Sequence, residues 1–257
     1  MADWDPSLYL KFSAERTRPA VELAAAVPLE RAVRALDIGC GPGNSTAVLA
    51  ARFPGAQVTG VDSSPAMVDE ARAAHPALRF AVCDVCAQLE ALGGGWDVVF
   101  SNACLQWVPG HRDLLPALYG LLAPGGVLAV QMPLQSAQPV HALLRQLAQS
   151  PRWRDKIPAA RPFHMLLPEE YFTLLGRLTP NCRLWETVYY QPMDSHEALL
   201  DWYRATGLRP YLAPLSPADA AAFEADVLAG LRALYPLAAD ERILFRFPRL
   251  FFTAARP

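Results

Sequence analysis

A chain of 257 residues, 53% of them apolar and only 19% charged, can bury a large core and is too apolar to stay disordered. Its formal net charge of −2 gives no general attraction to nucleic acid or to an anionic membrane, so neither is expected as a partner. Lys11 and Lys156 are the only lysines; the arginine bias is ascribed to base composition, which leaves only individual arginine positions to argue from.

In chain order, Pro6 to Ala26 reads as a helix. Val33 to Ile38 is an apolar run ending in glycine, the first strand. Helical stretches Asn44 to Phe53 and Ser64 to Ala74 alternate with strands Gln57 to Val61 and Leu78 to Val82. Ser64-Pro65 is a start signal, a serine cap followed by proline in the first turn. Trp96 to Ser101, a helix over His111 to Leu122, the turn Ala123-Pro124-Gly125-Gly126 and a fifth strand over Val127 to Met132 follow. This alternation predicts a parallel sheet covered by helices. Proline-punctuated helical stretches then occupy Gln135 to Thr179 and Ser195 to Leu237. They flank two strand candidates, Arg183 to Tyr190 and Ile243 to Thr253, expected as an antiparallel hairpin at the sheet edge with the helices as a lid.

Cys40, Cys83, Cys86, Cys104 and Cys182 are odd in number. The acidic start Met1-Ala2-Asp3-Trp4-Asp5 lacks the apolar stretch of a signal peptide. A reduced, cytoplasmic protein is expected, its thiols packed as small hydrophobes. Cys83 and Cys86 make one C-x₂-C pair, and nothing completes a zinc site, so no metal is expected.

The strongest local signal is Asp37-Ile38-Gly39-Cys40-Gly41-Pro42-Gly43-Asn44-Ser45. Glycines at alternate positions permit a tight turn and close backbone approach to a ligand, and the following helix aims free N–H groups into the same space. A dinucleotide fingerprint would need its third glycine one position later, where Asn44 stands. Asp62 ends the second strand, where a carboxylate can accept both hydroxyls of a ribose, and Asp84 follows the third, within reach of an adenine amino group.

Three segments, Asp37 to Ser45, Gly60 to Met67 and Cys83-Asp84-Val85, resemble the motifs of class I S-adenosylmethionine methyltransferases. The run Ser101-Asn102-Ala103-Cys104-Leu105-Gln106-Trp107 resembles the fourth-strand motif of their carboxyl-methylating members. Further blocks, from Trp4 to Ala20 through Gly125 to Pro133, Trp185 to Tyr190 and Gly207 to Pro210 to Phe247 to Phe251, are similar to the bacterial trans-aconitate 2-methyltransferases. The resemblance implies a Rossmann-like α/β fold: a seven-stranded, mostly parallel sheet with an antiparallel edge strand and a helical cap. It implies one methyltransferase domain over 1–257, with a core of about 30–133 plus strands at about 183–190 and 243–254, and a cap from about 1–29, 135–179 and 195–237.

It also implies S-adenosylmethionine as cofactor and S-adenosylhomocysteine as product. Gly39, Gly41, Gly43, Asn44 and the loop backbone would pass the methionine moiety, and Asp37 would help hold its ammonium. Asp62, Ser63 and Met67 would grip the ribose, Asp84 and the Val85 amide would read the adenine, and Asn102 would line the sulfonium side. Cys83 and Cys86 depart from the motif and are taken as packing.

A small carboxylic acid is ionised at neutral pH, so methyl transfer to it requires alignment and water exclusion rather than a base, triad or nucleophilic cysteine. Carboxylates that do not react are handles for arginine. Candidate substrate residues are Tyr9, Arg16, Gln106, Trp107, Gln131, Tyr190 and Arg209. Arg209 and Arg249 each interrupt apolar runs, where an arginine snorkels or faces a polar pocket; the pocket is favoured for Arg209 and the surface for Arg249. Tyr189 and Tyr190 point to opposite faces, so one at most touches substrate. His75, His111, His141 and His196 are expected at the solvated surface, with His164 set apart. Trans-aconitate is the expected acceptor. Alternatives are a malonyl thioester on a carrier protein and a secondary metabolite; a nicotinamide dehydrogenase and an inactive cofactor-binding regulator are less favoured. No partner beyond the small acid is expected, and the chain is taken as a monomer.

Overall fold

The computed structural model describes residues 13–134, 138–158, 163–204 and 206–257, with side chains from Thr17 onward. Helix α1 runs over Ser13–Ala26, and strand β1 over Arg34–Ile38 leads through the glycine loop to α2 (Asn44–Arg52). Next come β2 (Gln57–Asp62), α3 (Pro65–Ala74), β3 (Arg79–Val82) and β4 (Trp96–Asn102). A 3₁₀ turn at Leu105–Trp107, α4 (His111–Gly120) and β5 (Leu122–Pro133) complete the alternating half. The start of α3 forms as the sequence dictates: Ser64 Oγ accepts from the Met67 amide and Pro65 fills the first turn. β5 begins earlier than expected. Leu122 already pairs with Trp96, and Ala123-Pro124-Gly125-Gly126 forms a bulge inside the strand rather than a turn before it.

The second half supplies α5 (Pro139–Ala148), α6 (Pro168–Leu178), β6 (Cys182–Met193), α7 (His196–Arg204), α8 (Arg209–Leu212), α9 (Pro217–Leu234) and β7 (Ile243–Ala255). The strand order is β3-β2-β1-β4-β5-β7-β6. β1 pairs in parallel with both β2 and β4, and β4 with β5. β7 inserts antiparallel to β5 with Gln131 opposite Phe251 and Pro133 opposite Arg249. Because the crossovers diverge on either side of β1 and β4, their carboxyl ends frame the crevice where such sheets bind ligands.

Two compact units emerge. The sheet unit comprises residues 13–133, 163–187 and 249–257. Its strands bury Leu36, Ile38, Val98, Val99, Phe100, Val127 to Val130 and Phe252, the near-continuous apolar runs of a sheet covered on both faces. Tyr171 of α6 packs against Phe252, with ring centroids 5.6 Å apart. The second unit holds 134–162 and 188–248. Here α9 packs on α5 and α7, with Phe223 set edge-on to Trp153 and stacked with Tyr211. Arg204 binds Glu224 at 2.7 Å and Asp201 at 2.5 Å. His196 faces the Tyr235 carbonyl at 2.8 Å, and the Tyr203 hydroxyl donates to Gln138.

The histidines correct the surface expectation. His111, His141 and His196 are all buried, because each ring lies inside a packed helix face where its nitrogens or its edge find protein partners. Cys86 departs in the other direction. Cys83 is buried, but Cys86 is exposed rather than packed in the core.

Candidate active site

Every cofactor residue expected from the sequence stands at the carboxyl ends of β1 to β4 in the sheet unit. Gly39 and Cys40 both donate to the Val61 carbonyl, at 2.8 and 3.0 Å, tying the glycine loop to β2. Gly39 has φ +71°, and a Cβ there would lie 2.1 Å from Cys104 Sγ; both handedness and space demand glycine. Gly43 has a different reason. Its missing Cβ would strike His75 at 2.6 Å and Phe80 at 3.1 Å, so this glycine serves helix packing. A Cβ on Gly41 would meet nothing within 4 Å, which leaves the loop's outer face open to a ligand.

Asp62 clamps the two loops: Oδ2 accepts from the Gly41 amide at 3.0 Å and Oδ1 from the Ser64 amide at 2.9 Å. Asp37 is fully buried. Its Oδ2 accepts from Ser45 Oγ at 2.6 Å and Thr46 Oγ1 at 2.7 Å, while Oδ1 has no hydrogen-bond partner. Burial pushes its carboxyl up to about 6, helped by the charge of Asp62 and opposed by the two hydroxyls. Ser45 and Thr46 escaped the sequence reading, although hydroxyls just past a glycine loop are the available signal.

Asp84 is exposed; its Oδ1 accepts from the Cys86 amide at 2.9 Å and shapes the loop after β3. Val85 and Met67 are buried, Ser63 is exposed, and Asn44 opens α2. Asn102 ends β4 with a buried Oδ1 that has no partner. Ala103 beside it adopts φ 56°, a left-handed conformation costly for a residue with a Cβ.

The expected substrate residues divide. Gln106 is buried; its Nε2 donates to the Ala103 carbonyl at 2.6 Å, and its Oε1 has no partner. Trp107 packs on Phe163 with centroids 4.8 Å apart. A latch holds this turn: His111 Nε2 donates to the Leu105 carbonyl at 2.8 Å, and Nδ1 accepts from the Tyr171 hydroxyl. Burial lowers the His111 pKa and favours this neutral form. Gln131 is fully buried on β5. Arg249, expected at the surface, is instead only 3% exposed and donates from Nη1 to Gln131 Oε1 at 2.9 Å. The insertion of β7 against β5 turns it inward. Tyr190 and Arg209 belong to the second unit; Tyr190 is exposed where Tyr189 is buried, as the alternation required, and Arg209 opens α8. Tyr9 lies outside the described residues, and Arg16 is described only as part of the α1 backbone. Among the described residues no group of His, Cys, Asp and Glu could hold a metal, and no helix is long and apolar enough to cross a membrane.

The comparisons agree with this geometry. A family model described as a methyltransferase domain matches residues 35–126. Trans-aconitate 2-methyltransferase of Methylobacterium radiotolerans is 48% identical over 260 residues, covering 100% of this chain and 99% of the relative. The proteins of the same name from Paracidovorax citrulli and Escherichia coli are 46% identical over 258 residues, with the same coverage. Among solved structures, the YcgJ protein of Bacillus subtilis superposes with a TM-score of 0.60 at 14% identity, covering 93% of this chain and 98% of that one. Phosphoethanolamine N-methyltransferase 2 of Haemonchus contortus, solved with S-adenosylhomocysteine, gives 0.57 at 22% identity over 93% of this chain and 53% of its own. The chain belongs to the trans-aconitate 2-methyltransferase family and is an S-adenosylmethionine-dependent methyltransferase.

Proposed function

We propose that the enzyme esterifies one carboxylate of trans-aconitate and releases S-adenosylhomocysteine. The observation that carries this reading is the identity of 46–48% with relatives of that name over the entire chain, cap included. The residues present suit the cofactor. Asp37 Oδ1 and Asn102 Oδ1 are buried acceptors without partners, matched to a ligand that brings an ammonium and a positive sulfur. Asp62, at the end of β2, would hold the ribose, and Asp84 and Val85 would border the adenine.

The cofactor supplies a methyl carbon bonded to a sulfonium. An acceptor carboxylate oxygen forms the new O–CH₃ bond as the C–S bond breaks, and the electron pair stays on sulfur; cation and anion become two neutral groups. No proton moves, so the chain's contribution is placement and exclusion of water. Gln106 and Trp107 bound the acceptor side, and the His111–Tyr171 latch fixes the turn that carries them.

The test is incubation with methyl-labelled S-adenosylmethionine and trans-aconitate, cis-aconitate, citrate, isocitrate or a malonyl thioester. Preferential ester formation on trans-aconitate is expected. Preference for the thioester, or for none of the acids, would reject the acceptor.

A further inference from the structure

We infer that Ser45 and Thr46 are positioning residues for S-adenosylmethionine: their hydroxyls grip one oxygen of Asp37 and leave the other, still charged, to take the ammonium of the cofactor. This rests on the reading of Asp37 as the holder of that ammonium. Both residues lie in the first turn of α2, directly after the glycine loop. Asp37 and Thr46 are fully buried, and Ser45 is nearly so. Ser45 Oγ and Thr46 Oγ1 donate to the same oxygen, Oδ2, at 2.6 and 2.7 Å. Oδ1 has no hydrogen-bond partner among the described residues, which a buried carboxylate oxygen rarely lacks.

The packing around Thr46 is built for this grip. Gly60 stands opposite Asp37 on β2. A Cβ there would lie 2.7 Å from Thr46 Oγ1 and 2.8 Å from Phe80. Gly60 is not among the glycines with positive φ, so backbone conformation does not require it. The missing side chain gives the Thr46 hydroxyl and the Phe80 ring the space they occupy.

Charge explains why one oxygen receives two hydroxyls. Burial and the nearby Asp62 carboxylate both drive Asp37 toward its protonated form, and the two hydroxyls oppose them. Cys40 in the loop, which also feels the Asp37 charge, brings no positive charge, because burial holds its thiol neutral. On β4, Phe100 pairs with Asp37, and Phe100, Ser101 and Asn102 are all uncharged. A proton taken up by this carboxyl falls on Oδ1, since Oδ2 already accepts two donors. It would turn the acceptor into a donor facing an ammonium. Hydroxyl donors favour the ionised form and so keep Oδ1 an acceptor.

The experiment measures S-adenosylhomocysteine affinity by calorimetry from pH 5 to pH 8.5 in the wild type, Thr46→Val and Thr46→Ser. Valine keeps the shape and removes the hydroxyl, and the ratio of wild-type to variant affinity cancels the ligand's own ionisation. Losing one donor should raise the Asp37 carboxyl by about one pH unit, a factor of about ten in its ionisation. Thr46→Val should therefore bind about tenfold more weakly than the wild type at pH 5 and within about twofold of it at pH 8.5. Thr46→Ser should follow the wild type throughout. 5′-Methylthioadenosine, which has no ammonium, should bind all three proteins alike. Should Thr46→Val fail to fold, Ser45→Ala should show the same closing deficit. A deficit of equal size at every pH, or none, overturns the role of the hydroxyls and leaves Asp37 in the cofactor site. A closing deficit that 5′-methylthioadenosine shares overturns that role too. A wild type whose affinity does not fall toward pH 5 overturns the reading of Asp37, and the inference with it.

Discussion

The carboxyl ends of β1 to β3, and the carboxyl end of β5 with the stretch of β7 beside it, belong to one sheet and differ in what they offer. The first set presents oxygen: Asp37, Asp62 and Asp84, with an unpartnered Oδ1 on buried Asp37. The second presents nitrogen: Arg249 joined to Gln131, whose Nε2 is unsatisfied. β4 lies between them in the strand order. A methyl group passing from a positive sulfur to a negative oxygen needs that gradient and no base, so electrostatic placement carries the chemistry.

Four substitutions or conditions would break or sharpen this contrast. The largest effect belongs to Gly39→Ala, which puts a Cβ 2.1 Å from Cys104 Sγ at φ +71°. Handedness and overpacking together should cost about 2–5 kcal/mol, read as a lower melting temperature and lost cofactor binding. Unchanged melting would show that the loop relaxes freely. Asp62→Ala should weaken S-adenosylmethionine by roughly 1–3 kcal/mol in calorimetry and leave acid binding alone.

Asp37 sharpens the contrast through pH. Its carboxyl is raised to about 6 in the fold, above its unfolded value, so the folded chain holds the extra proton between the two. Apo stability then falls as pH rises through that window, while affinity for a cationic cofactor rises. Calorimetry should show S-adenosylmethionine binding about tenfold weaker at pH 5 than at pH 7, and Asp37→Asn should flatten the profile. A flat wild-type profile would remove Asp37 from the cofactor site. The smallest effect is expected of Tyr171→Phe, which frees the His111 latch. It should cost about 1 kcal/mol of stability and slow turnover without changing cofactor affinity.

How much of this was legible follows the same division. The acidic strand ends could be read because each signal is local: a glycine loop of nine residues, and aspartates closing successive apolar runs. The fold followed from that alternation, except that the bulge at Ala123 to Gly126 was taken for a turn. Arg249 was misplaced because the apolar run around it reads the same whether an arginine snorkels or turns inward. Only the antiparallel insertion of β7 beside β5 decides, and it joins side chains 118 positions apart. The buried histidines were missed for a related reason, since the partners of His111 and His196 are a distant tyrosine hydroxyl and backbone carbonyls.

The most direct test measures both ligands in two variants, Asp62→Ala and Gln131→Glu, with trans-aconitate titrated in the presence of saturating S-adenosylhomocysteine. Opposite-charge ends predict a crossed result: Asp62→Ala weakens S-adenosylmethionine and spares the acid, and Gln131→Glu weakens the acid and spares S-adenosylmethionine. If each variant weakens both ligands alike, the two strand ends are not separate sites for a cation and an anion.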